Sequence, residues 1–191
     1  MRKHHLVCLA CLFSVLYTQA ETLIATYTST FFNKDFQIEA SDKNDDNFYV
    51  FIQVANKEQD TKSQIRIEGK KMDAFIQALQ QLRSQYVTWS KKNGASYKNG
   101  ASMYDSGVSF PKVTIRWWNS EWIYSFNNSL EPKFLLLNDG SWVVSFANRA
   151  KGATNYLSEL TVYWIFASVQ DFDQVLDKLA PSSLLPKITG K

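Results

Sequence analysis

Two stretches of this sequence, Phe48 to Ala55 and Leu160 to Phe166, have strand character and carry apolar side chains on both faces. Phe48, Val50 and Ile52 alternate with Tyr49 and Phe51, and Val162, Trp164 and Phe166 alternate with Tyr163 and Ile165. A half-solvated strand alternates apolar with polar residues, so strands of this kind need cover on both sides. Only two segments have the spacing to form covering helices. In Lys71 to Trp89, Met72, Phe75, Ile76, Leu79, Leu82, Tyr86 and Trp89 recur at threes and fours, with Gln77, Gln80, Gln81, Arg83 and Gln85 opposite. In Val169 to Leu179, Val169, Phe172, Leu176 and Leu179 do the same, with Ser168 and Asp171 as a capping-box-like start and Pro181 as a stop. Two helices cover one face of a sheet. The other face calls for a second sheet, a partner chain or a ligand.

Further aromatic and β-branched runs read as strands: Leu23 to Phe32, Phe36 to Ala40, Gln64 to Glu68, Val113 to Trp118, Trp122 to Phe126, Phe134 to Leu137 and Trp142 to Ala147. The pattern predicts an α+β fold, mostly antiparallel β-sheet with two amphipathic helices. Placing Phe75 on Phe172 aligns Leu79 with Leu176, Leu82 with Leu179, Ile67 with Trp164 and Ile65 with Val162. That correspondence suggests two β-meander-plus-helix pseudo-repeats, 21–90 and 113–180, joined by a polar connection, 91–112. The connection includes two copies of Lys-Asn-Gly-Ala-Ser, at 92–96 and 98–102, and reads as a long mobile link.

Two hairpins can be assigned faces from their turn signals. A two-residue Asn119-Ser120 turn would put Trp118 opposite Glu121, Trp117 opposite Trp122 and Ile115 opposite Tyr124. Val113, Ile115, Trp117, Trp122, Tyr124 and Phe126 would then share one apolar face, leaving Arg116, Trp118 and Glu121 on the other. Asp139-Gly140 is a type I′ signal, which groups Leu135, Leu137, Trp142, Val144 and Phe146 against Phe134, Leu136 and Val143. A slip of one residue would exchange the faces of either hairpin.

The amino-terminal segment narrows the chemistry. Met1 to Ala20 reads as a secretory signal, with Arg2 and Lys3 as the basic end, Leu6 to Tyr17 as the apolar stretch and Thr18-Gln19-Ala20 as the cleavage site. Cys11 follows Leu9-Ala10 in the manner of a lipoprotein signal. However, Cys8 stands where leucine is usual and apolar residues continue past Cys11, which favours simple cleavage. The expected product is a single exported domain, 21–191, in the periplasm, at the cell surface or secreted. It would lack His4, His5, Cys8 and Cys11, the only histidines and cysteines in the chain. Disulfides, thiolate or imidazole metal ligation and every Ser-His-Asp arrangement would go with them. Losing Arg2 and Lys3 also lowers the formal net charge from +3 to +1, which gives no footing for a nucleic-acid partner. No later run reaches the roughly 20 apolar residues of a membrane-spanning helix.

What remains is carboxylate, hydroxyl and aromatic chemistry. Asp105, Glu121, Glu131, Asp139 and Glu159 lie near aromatic strands, and a glycoside hydrolase would need two of them facing each other across a sugar. Ser109-Phe110-Pro111-Lys112 has Ser-x-x-Lys spacing without the companion motifs of acyl-transfer enzymes. Asp42 to Asn47 has oxygen ligands at alternate positions but lacks the glycine and glutamate of a calcium loop. The reading assigns no catalytic residue, metal or cofactor. It points to a non-catalytic binding or interaction module using an aromatic-rich sheet face or a groove between the halves. Arg116, Trp118 and Glu121 are the ligand-binding candidates, and a glycan, a small apolar ligand or another protein the partner. The alternatives are a carboxylate-dependent hydrolase acting on glycans or cell wall, and a structural subunit of a surface assembly.

Overall fold

The computed structural model describes residues 21–41, 48–58, 61–93, 103–153 and 158–189. The leader, the Asx-rich loop 42–47 and residues 94–102 of the Lys-Asn-Gly-Ala-Ser repeats lie outside the described residues. The strands are β1 (Glu21–Ser29), β2 (Lys34–Ser41), β3 (Tyr49–Asn56), β4 (Ser63–Glu68), β5 (Met103–Asp105), β6 (Val113–Asn119), β7 (Glu121–Asn128), β8 (Lys133–Leu136), β9 (Trp142–Lys151) and β10 (Glu159–Phe166). The helices are α1 (Met72–Asn93), α2 (Val169–Leu179) and α3 (Pro181–Thr189). The fold is α+β, and every strand pair is antiparallel.

The sheet forks at β3. One arm runs β1-β2-β3-β4-β6-β7, and the other runs β5-β8-β9-β10 and returns to β3. Strand β2 takes one edge of β3 from Tyr49 to Ile52, and β10 takes the same edge at Ala55 and Asn56. Between them the ladder is interrupted, and side chains supply the missing partners. Tyr27 Oη donates to the Gln53 carbonyl at 2.6 Å, while the Gln37 amide donates to Gln53 Oε1 at 3.0 Å. At their far ends the arms touch again, where the Ala153 amide, just past β9, donates to the Tyr124 carbonyl of β7 at 2.8 Å.

Both arms bury one face against the helices in a continuous core. Phe75 of α1 is fully buried, stacks on Trp164 of β10 and meets Phe110 edge-on, while Phe166 stacks on Phe172 of α2 at 4.2 Å. The aligned positions Ile65, Ile67, Val162 and Trp164 are all buried. Helix α2 starts as its sequence predicts: Ser168 Oγ accepts from the Asp171 amide, and Asp171 accepts from the Ser168 amide in return. The Asp171 carboxylate, 3% exposed, does more than cap. It also accepts from the Ala167 amide at 2.7 Å and from the Thr30 hydroxyl at 2.8 Å, so it ties α2 to the end of β1. Arg83 of α1 clasps Asp173 of α2 through two bonds. Gly69, in the 3-10 turn before α1, donates to the Phe48 carbonyl at 2.8 Å, and a Cβ built on it would lie 2.7 Å from the Phe48 ring.

Four expectations need correction. Pro181 ends α2 but also opens a third helix, since a missing N–H costs nothing in the first turn of a helix. The connection is not all a loose link. Helix α1 extends to Asn93, β5 pairs with β8, and Val108 and Phe110 are buried. In the first hairpin Asn119 pairs with Glu121 around Ser120 at φ 60°, so Trp118 faces Trp122, Trp117 faces Ile123 and Arg116 faces Tyr124. A bulge at Asn127, φ 58°, then brings Val113 opposite Asn128. In the second hairpin the loop has three residues, Asn138 to Gly140, closed by the Leu137 amide donating to the Ser141 carbonyl at 2.8 Å. Leu136 thus faces Trp142, and Phe134 faces Val144. In each hairpin the single-residue slip exchanges the faces of one strand relative to its partner: Trp122 and Tyr124 join Trp118 and Arg116, and Leu136 and Phe134 join Trp142 and Val144.

Candidate binding face

Cross-strand partners share a face, so the register defines the side of the first arm that looks away from the helices. Glu39 pairs with Phe51, Phe51 with Arg66, Arg66 with Thr114, Gln64 with Arg116, Arg116 with Tyr124, and Trp118 with Trp122. Tyr49 and Phe126 fall on the same side, two residues from Phe51 and Tyr124 respectively. This face is therefore a grid of aromatic rings with two arginines set into it.

Arg116 is the buried arginine, 2% exposed. Its guanidinium carbon lies 3.8 Å from the centre of the Phe51 ring and 4.0 Å from that of Trp122. Its Nε donates to Gln64 Oε1 at 2.7 Å, and Nη2 donates to Glu21 Oε2 at 2.6 Å. Gln64 in turn donates to Glu39, which accepts from Lys62 Nζ at 2.8 and 2.9 Å. Two carboxylates and two cations thus close a charge-balanced chain across β1, β2, β4 and β6. Such a chain is tolerated under aromatic cover because each charge keeps a partner.

Arg66 stands in contrast. Its guanidinium carbon is 4.6 Å from the Tyr49 ring, 5.6 Å from Tyr124 and 5.9 Å from Phe126. Nη2 donates to Thr114 Oγ1 at 3.2 Å, whereas Nε is buried with no acceptor. Glu68 is the acid two residues along the same strand face, but it is engaged by Lys71 at 2.9 Å and Lys70 at 3.0 Å. Hydrogen bonds from Lys71 and then Lys70 hold the Glu68 carboxyl below the usual carboxylate range. Among the described residues no carboxylate pairs with Arg66.

Two aromatics on this face are open to solvent. Trp118 is 48% exposed and meets Trp122 edge-on at 5.5 Å, and Phe126 is 53% exposed and lies parallel to Tyr124. Of the residues the sequence singles out, Arg116 and Trp118 share this face. Arg116 is enclosed, while Trp118 is available. Glu121, opposite Asn119, falls on the other side of the hairpin. Arg66, Tyr124 and Phe126 complete the face without being among the candidates that the sequence singles out. A signal for Arg66 was present, because Gln64-Ile65-Arg66-Ile67-Glu68 alternates as a half-solvated strand does.

Asp139, Glu159 and Asp105, also considered from sequence, have local partners. Asp139 accepts from the Ser141 hydroxyl and amide, which lowers its pKa and orders the hairpin loop. Glu159 pairs with Arg149, and Asp105 lies 3.5 Å from Lys133. Glu131 lines a cleft with Asp105 and Lys112. A separate concavity of about 490 Å³ opens at the fork of the sheet, lined by Phe32, Lys34, Phe36, Gln53 and Asn56. Among the described residues no three acids, histidines or cysteines gather as a metal site, and no helix is long and apolar enough to cross a membrane. Compared with models of known protein families, with curated proteins and with solved structures, the chain matches none.

Proposed function

We propose that this protein is an exported, non-catalytic binding module whose contact surface is the aromatic face of β3, β4, β6 and β7. The observation that carries the reading is the pairing of a rigid floor with open rings. Arg116 and its partners fix the grid from beneath, and Trp118 and Phe126 leave about half of their surface to solvent. Large aromatics on a polar-flanked face, held in place before a ligand arrives, bind at low entropic cost. Export follows from the leader read in the sequence, and a periplasmic or surface location suits a module that recognises material outside the cytoplasm.

A glycan array probed with the mature chain and with a Trp118→Ala/Phe126→Ala double variant tests this. The wild type should retain glycans that the double variant releases, with both proteins unfolding at the same urea midpoint. Identical retention by the two would refute the assignment of this face.

A further inference from the structure

Building on the reading of this face as a binding surface, we infer that its ligand is an acidic glycan whose carboxylate is taken by Arg66. The two arginines of this face differ in how their charge is met. Arg116 is neutralised within the fold, by Glu21 directly and through Gln64 toward Glu39. Arg66 occupies the neighbouring strand and the same face, yet among the described residues its charge meets a hydroxyl and the rings of Tyr49, Tyr124 and Phe126 and no carboxylate. Glu68, the nearest acid along its strand face, is committed to Lys70 and Lys71. A half-buried guanidinium whose partners among the described residues are one hydroxyl and aromatic rings, with no carboxylate, has capacity left for an anion on its solvent-reachable edge.

The surrounding rings specify what carries that anion. Phe126, beside Arg66, and Trp118, four residues along β6 from Thr114, both leave about half of their surface to solvent. Four residues of strand span about 13 Å, longer than one pyranose ring. The apolar side of a sugar stacks on an aromatic plane, so an oligosaccharide lying along β6 can cover both rings while a uronate carboxylate reaches the guanidinium. A short carboxylate alone would use Arg66 and leave the rings idle. A neutral sugar would use the rings and leave Arg66 without a counter-charge.

The test uses a matched pair of probes, an oligogalacturonate and the same oligomer with its carboxyl groups reduced to alcohols, titrated against the mature chain by calorimetry. The acidic oligomer should bind at least about tenfold more tightly, and that gap should narrow as NaCl rises from about 50 to about 500 mM. Arg66→Gln should erase the gap and Arg66→Lys should restore part of it, because lysine keeps the charge and loses the planar fork. Trp118→Ala should weaken both oligomers alike. Equal binding of the two oligomers, no binding of either, or a gap that survives Arg66→Gln would overturn the inference. So would capture of vesicles containing anionic phospholipid in place of the oligogalacturonate. If Trp118→Ala leaves both affinities unchanged, the face itself is wrong; if only the Arg66 result fails, the face stands and the acidic ligand falls. The wild-type comparison of the two oligomers and its salt dependence decide the matter even should an Arg66 variant not fold.

Discussion

Replacing Arg116 by methionine removes a buried cation while roughly keeping its volume, and the structure allows the cost to be worked out. Gln64, fully buried, would lose the donor to its Oε1 and be left with an unsatisfied oxygen, at about 1–3 kcal/mol. The two desolvated ring contacts, with Phe51 at 3.8 Å and Trp122 at 4.0 Å, are worth up to about 2 kcal/mol each. Sulfur against the same rings returns about 0.3–1.5 kcal/mol. Glu21 keeps 21% of its side chain exposed and can turn to water, so the larger penalty of a stranded buried carboxylate is avoided. The sum is about 3 kcal/mol, which for a domain of this size lowers Tm by about 6–12 °C. Urea unfolding followed by tryptophan emission should show the midpoint falling with an unchanged slope. A double-mutant cycle with Gln64→Leu should return a coupling of about 1–2 kcal/mol. A loss below about 1 kcal/mol, or strictly additive variants, would mean that the chain of charges beneath the aromatic face does not hold it.

Burial raises the phenol pKa of Tyr27 and of Tyr86, and the Asp171 charge adds to both. Their folded-state values exceed the unfolded value of about 10, so the stability they lend is whole below that pH and is lost as pH rises above it. In an alkaline titration read at 295 nm, these two should ionise only together with loss of the near-ultraviolet dichroism. Reversible ionisation of every tyrosine near pH 10 in a folded protein would contradict this. Asp171→Ala strands the Ala167 and Ser168 amides and frees the end of β1, and should cost about 3 kcal/mol in thermal unfolding, with Asp171→Asn recovering less than half. A loss under about 1 kcal/mol would remove its bridging role. Gly69→Ala should cost about 1–3 kcal/mol by driving a methyl group into the Phe48 ring, and the double variant Gly69→Ala/Phe48→Leu should cost less than the sum of its parts. Additivity there would show that the ring is free to move aside.

The elements were legible in the sequence where local chemistry decides them. The periodicity of Met72, Phe75, Leu79, Leu82 and Tyr86 marks the buried side of α1, and Ser168 with Asp171 marks the start of α2. The faces of the hairpins were not legible, because one turn residue sets them. A left-handed Ser120 lets Asn119 and Glu121 pair, and that shift moves Trp122, Tyr124 and Phe126 from the helix side to the open side. Hydrophobicity points the other way on β7. Ser125 is buried, with Asn128 as its partner, while Phe126 is exposed. On β7 local pattern and final placement conflict, and this is the strand that carries part of the proposed contact face. Arg116 illustrates the same limit of pattern reading. In sequence it is a polar residue beside tryptophans, and only the fold brings it Gln64, its cross-strand neighbour, and Glu21 of β1.

Strand β3 belongs to both arms, yet β10 joins it through just two residue pairs, Val162 with Asn56 and Tyr163 with Ala55. So short a seam holds little by itself. Besides the Ala153–Tyr124 bond, the arms are kept together from within, by Phe75 of α1 lying on Trp164, by the core that Leu79 and Leu82 share with Ile52 and Ile65, and by α2, whose Phe172 lies on Phe166 while its Asp171 holds Thr30. Helices α1 and α2 are in this sense the keystone of the sheet, closing from the core side an opening that its own ladder bridges with two residue pairs.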